Sequence, residues 1–72
     1  MNPSHPTFII NGQMHPLLHP SLEQALAASG FDPAQAGTAV AVNAVVVPRA
    51  GWRRFRLQPG DRVEVIQAVA GG

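Results

Sequence analysis

Three histidines, His5, His15 and His19, are the side chains best able to hold a metal or move a proton, and His15 and His19 stand four apart. On a helix that spacing puts two ligands on one face. Pro16 lies between them and Pro20 follows directly, so a helix cannot run through the segment, and solvated loop histidines are the reading that remains. The four acids, Glu23, Asp32, Asp61 and Glu64, are each assigned to a cap, a turn or a strand surface. No two are placed to share a proton as an acid/base pair would. Arg53, Arg54 and Arg56 interleave with Phe55, a pattern that could pair with phosphates and stack on a base. A net charge of +1 is too small for a nucleic-acid surface, which leaves a solvated face or an acidic protein partner. Cysteine is absent, which removes disulfides, zinc fingers, iron–sulfur ligation and thiol nucleophiles. Every positive charge is an arginine, so Schiff-base and acyl-lysine chemistry on this chain are excluded as well.

The other chemically suggestive feature is the end of the sequence, Gly71-Gly72. With no Cβ at either position such a segment is thin enough to enter a narrow active-site channel, which suits a C-terminus that is itself the substrate. A carboxylate becomes an electrophile once joined to AMP as a mixed anhydride, and a persulfide can then take the acyl group. A frayed glycine tail is the plain alternative.

These residues must be positioned by a small scaffold. Seventy-two residues, 46% apolar and 12% charged, form one folded domain, since two cores need roughly 100 residues or more. No stretch approaches the roughly 18 apolar residues of a membrane span, and Met1 to Pro6 lacks the basic start and apolar run of a signal peptide. A soluble cytoplasmic protein is expected.

Thr7 to Asn11 is rich in β-branched and aromatic residues and runs into Asn11-Gly12, a two-residue hairpin signal, with a second strand from Gln13 to about Leu17. Ser21 and Gln24 are spaced as a capping box, with Glu23 in the first helical turn. Leu22, Ala25, Leu26 and Ser29 form one face, and Gly30, Phe31 and Pro33 stop the helix. The run VAVNAVVVPR gives two strands broken at Asn43-Ala44, with Val40, Val42, Val45, Val46 and Val47 expected inside. Gly51 to Phe55 is too mixed for a regular element, with Trp52 expected in the core or at its rim. After the turn residues Pro59-Gly60-Asp61, a last strand from about Arg62 to Ala68 turns Val63 and Val65 one way and Arg62, Glu64 and Ile66 the other. The order predicts an α+β β-grasp fold: a mixed sheet of four to five strands crossed on one face by one helix. The other face stays open, and Ile66 stands on it beside the terminal segment as a candidate partner contact.

Three local patterns carry a family resemblance. They are Val42-Asn43 with Val46-Val47-Pro48-Arg49 and Trp52 following, then Leu57 with Pro59-Gly60-Asp61, and the ending Ile66-Gln67-Ala68-Val69-Ala70-Gly71-Gly72. Through them Ala39 to Gly72 closely resembles the ThiS family, ubiquitin-like sulfur carriers of bacterial thiamine biosynthesis. The first half agrees more loosely, through its NG hairpin and SLEQALAASGF helix. Family chains begin directly with the first strand, so residues 1–6 here are expected to be a disordered or loosely attached start, and residues 69–72 a flexible reactive tail.

The resemblance implies a carrier that is not itself an enzyme and binds neither a stable cofactor nor a metal. Gly72 would be adenylated by an ATP-consuming, E1-like activating enzyme. It would take sulfur from a cysteine-desulfurase persulfide, become a thiocarboxylate, and serve thiazole synthase in forming the thiazole of thiamine. Gly71, Ala70, Val69 and Ile66 would contact the partners, with no part for nucleic acid or membrane. The alternatives are the small subunit of molybdopterin synthase, which usually ends in a PPVAGG-like segment where this chain has IQAVAGG, and a ubiquitin-like protein modifier.

Overall fold

The computed structural model describes residues 5–68. Strand β1, Thr7–Ile10, and strand β2, Gln13–Pro16, form an antiparallel hairpin registered from Thr7↔Pro16 to Ile10↔Gln13. Asn11 and Gly12 take φ of 48° and 82°, the left-handed pair that a two-residue type I′ turn needs and that Asn-Gly supplies at least cost. Of the six residues expected to be loosely attached, Pro6 is tied to the sheet: its carbonyl accepts the Leu17 N–H at 2.8 Å.

Helix α1, Leu22–Ala28, buries Leu22, Ala25 and Leu26 as its period requires, while Ser29 is only half-buried. The expected capping box does not form, because Ser21 makes no side-chain cap bond. Its Oγ lies 3.3 Å from the Arg53 carbonyl instead. The first helical N–H groups find partners from a distant loop: Leu22 donates to the Phe55 carbonyl at 3.0 Å and Glu23 to the Trp52 carbonyl at 3.1 Å. Orphan donors at a helix start must be met by something, and here tertiary carbonyls displace the local hydroxyl. The helix stops as expected, with Gly30 at φ 96°, its N–H on Ala27 and that of Phe31 on Leu26 at 3.0 Å. That is the double bond of a Schellman motif, closed by Phe31 packing on the core.

Strand β3, Thr38–Val42, turns through Asn43 and Ala44 into the two-residue strand β4, Val45–Val46. A 3-10 turn, Arg49–Gly51, follows, overlapping at Gly51 the Gly51-to-Phe55 stretch expected to be irregular, and strand β5, Arg62–Gln67, completes a mixed sheet in the order β2-β1-β5-β3-β4. Thus β5 is central, parallel to β1 and antiparallel to β3. Asn43 accepts the Arg62 N–H on its Oδ1 at 3.0 Å, pinning the start of β5.

The core holds Phe8, Ile10, Leu22, Ala25, Leu26, Val40, Val42, Val47, Trp52, Leu57, Val63 and Val65. Val45 and Val46 were expected there too and are instead 67% and 71% exposed. Val46 lies opposite Ala41 and shares its open face, and Val45 stands on an edge strand with no neighbour beyond it. Trp52 is fully inside, and its indole N–H donates to the Val47 carbonyl at 2.7 Å.

Candidate functional site at the end of the central strand

Alternation along β5 puts Val63 and Val65 into the core and leaves Arg62, Glu64 and Ile66 on the open face. Ile66 is 68% exposed, as its position in the sequence predicts. It lies opposite Ala39, while Glu64 lies opposite Ala41, which in turn faces Val46. Small alanines between Ile66 and Val46 make a shallow apolar groove with Glu64 at its border. On the other side of β5, Ile9 pairs with Arg62 and with Met14, so exposed Met14 belongs to the same face. Exposed apolar side chains gathered on one side of a sheet make this face a candidate for contact with a partner.

This groove sits beside the strand end that leads to Val69, Ala70, Gly71 and Gly72, which lie outside the described residues, as does the expectation of a flexible tail there. Val46 and Met14 escaped the sequence reading. In the run Val45-Val46-Val47 apolarity does not alternate, so no period tells which residues point outward.

The other candidates are accounted for structurally. His15 is not the solvated loop residue expected but sits half-buried on β2 with its ring centroid 5.9 Å from that of Phe8, whereas His19 does lie in the loop before α1. Among the described residues no three histidines or acids gather as metal ligands. Asp61 accepts the Gln58 N–H at 2.8 Å and the Asn43 side-chain amide at 3.0 Å. Asp32 accepts the Ala34 N–H at 2.9 Å in its turn. Glu23 approaches Arg53 at 4.0 Å across an exposed surface, where an ion pair adds little. Arg53, Arg54 and Arg56 face solvent while Phe55 packs against the core, so the ring is not free to stack between them.

A mixed five-stranded sheet, one helix on its inner face and an open apolar face beside the last strand define a ubiquitin-like β-grasp protein. The crystal structure of the thiamine biosynthesis protein ThiS from Geobacter metallireducens shares this fold. Its TM-score is 0.71 at 24% identity, over 92% of this chain and 99% of that one. The ThiS family model matches residues 8–72, and the sulfur carrier protein ThiS of Escherichia coli (strain K12) is 40% identical over 55 residues, 76% of this chain and 74% of that protein. The chain belongs to the ThiS family of sulfur carriers, small carrier proteins rather than catalysts. Among the described residues no helix is long and apolar enough to cross a membrane.

Proposed function

We propose that this chain carries sulfur as a thiocarboxylate on Gly72 and delivers it in the cytoplasm for making the thiazole of thiamine. The supporting observation is that the family match runs through residue 72 and so includes the Gly71-Gly72 ending. A Gly72 carboxylate oxygen attacks the α-phosphorus of ATP in an activating enzyme, and pyrophosphate leaves. The terminal sulfur of a cysteine-desulfurase persulfide then attacks the acyl carbon and AMP departs with the bonding electrons. A thiol cleaves the resulting acyl disulfide, leaving the thiocarboxylate on Gly72 and a new disulfide on the donor side. Thiazole synthase is the acceptor.

Val69, Ala70 and Gly71 thread the partner's channel, and Ile66 with its apolar neighbours docks on the partner's surface. ATP is consumed by the partner. The curated relative is a ThiS, which favours the thiazole branch over the molybdopterin-synthase carriers and protein modifiers.

Intact-mass measurement of the protein purified from its own host tests this. Replacing one carboxyl oxygen by sulfur adds about 16 Da. Only the unmodified mass, in cells deprived of thiamine, would refute it.

A further inference from the structure

Where β5 ends, the chain runs against the loop between α1 and β3. The Ala68 N–H donates to the Gly37 carbonyl at 3.1 Å. Gln67 Nε2 lies 3.2 Å from Thr38 Oγ1 and 3.4 Å from the Asp32 carbonyl. Gly37 holds φ at 80°, and a Cβ built there would stand 2.9 Å from the Ala68 Cβ, closer than such atoms approach. Gly12, Gly30 and Gly60 share the positive φ, yet a Cβ on any of them would meet nothing within 4 Å.

The loop is fixed from its other side as well. Thr38 Oγ1 donates to the Gln35 carbonyl at 2.9 Å, and Arg49 donates to the carbonyls of Pro33 and Gln35. The Arg49 guanidinium lies over the Trp52 ring at 4.6 Å from its centroid, and that ring is locked in the core. A continuous set of contacts thus runs from the core through Trp52, Arg49 and the loop to Ala68.

We propose that Gly37 is a positioning residue for activation of the C-terminus: its missing side chain seats Ala68 against the loop and so fixes the point from which residues 69–72 continue. This rests on the reading that Gly72 is the group adenylated. A displaced root misplaces a reacting carboxylate several residues on, and misplacement by about 1 Å can cost on the order of 100-fold in rate. The docking groove around Ile66 and Val46 lies on the sheet face and does not include Gly37.

ATP–pyrophosphate exchange with the purified activating enzyme, read as kcat and KM for the carrier, tests the proposal. Gly37→Ala should lower kcat by about 10- to 100-fold with KM within about twofold of wild type. Gly30→Ala, also at a positive φ but facing open space, should keep the wild-type kcat. Adding Ala68→Gly to Gly37→Ala removes the clashing partner and should recover most of the loss.

Wild-type kcat in Gly37→Ala, an equal loss in Gly30→Ala, or no recovery in the double variant would each overturn the proposal. Should Gly37→Ala fail to fold by circular dichroism, Gln67→Ala cuts the side-chain ties without touching φ. It should lower kcat several-fold at an unchanged melting temperature, and wild-type kcat there overturns the proposal. No exchange with the wild-type chain would instead overturn the adenylation reading, and this proposal with it.

Discussion

The side-chain amide of Asn11 grips both backbone groups of Val65: its Oδ1 accepts the Val65 N–H at 2.9 Å, and its Nδ2 donates to the Val65 carbonyl at 3.2 Å. The β1–β5 ladder pairs only Ile9 with Arg62 and Ile10 with Val63, because the chain turns away at Asn11. The amide occupies the next ladder position, so a side chain extends a parallel pairing that the backbone has left. Asn11→Gly should therefore destabilise the fold by about 1–3 kcal/mol, although glycine accepts that φ more easily, because two backbone groups lose their partners. Urea unfolding measures it, and an unchanged midpoint would mean that water replaces the amide without cost.

Ala44 holds φ of 68° in the second two-residue turn, a conformation that costs a residue with a Cβ about 1–2 kcal/mol. Ala44→Gly should raise stability by about 1 kcal/mol, which for a domain of this size moves the melting temperature up by about 4–8 °C. A drop in a thermal melt would show that glycine's greater freedom in the unfolded chain outweighs the relief.

Trp52 is the single tryptophan and donates its indole N–H to Val47 from within the core. Trp52→Phe leaves that carbonyl unpaired and a void beside it, with an expected cost of about 2–4 kcal/mol in denaturant titration. A cost below about 1 kcal/mol would show that the bond and the ring's extra volume matter little.

Ile66→Asp should keep the wild-type melting temperature, because the side chain is exposed, yet weaken binding to the activating enzyme and thiazole synthase by about tenfold or more. Calorimetry with each partner reads this, and wild-type affinity for both would remove the open face from the interfaces.

Adding one residue after Gly72, or replacing Gly71 by Val, should abolish pyrophosphate exchange and leave thermal stability unchanged. The extension moves the carboxylate from its attack position, and the β-branched side chain restricts the backbone and adds bulk. Near-normal exchange by the extended chain would mean that the C-terminus is not the substrate.

What the sequence made legible was local. Asn11-Gly12 named its turn, Gly30 and Phe31 named the helix stop, and the alternation of Arg62, Glu64 and Ile66 with Val63 and Val65 gave both the register of β5 and the exposure of Ile66. What it hid depended on contacts between distant segments. Ser21 reads as a cap until carbonyls from Trp52 and Phe55 take the helix donors, and the close approach of Ala68 to Gly37 has no local signal in the sequence. The Gly71-Gly72 ending stood out without any knowledge of the fold, because two successive residues lacking a Cβ are visible in the sequence itself. The open apolar face was half legible, with Ile66 evident from alternation and Val46 concealed in an unbroken apolar run.

The parallel neighbours β1 and β5 also decide how the molecule answers to pulling. Thr7 opens one strand and Gln67 closes the other, so these residues lie towards opposite ends of the pair. Tension applied between them acts along the strands, and the bonds from Ile9 to Asp61, from Asn11 to Val63 and from the Asn11 amide to Val65 share the load together. A partner that tugs on the domain through β5 meets a joint loaded in shear, which yields only when all of these bonds break at once, whereas the β1–β2 hairpin could be unzipped one pair at a time.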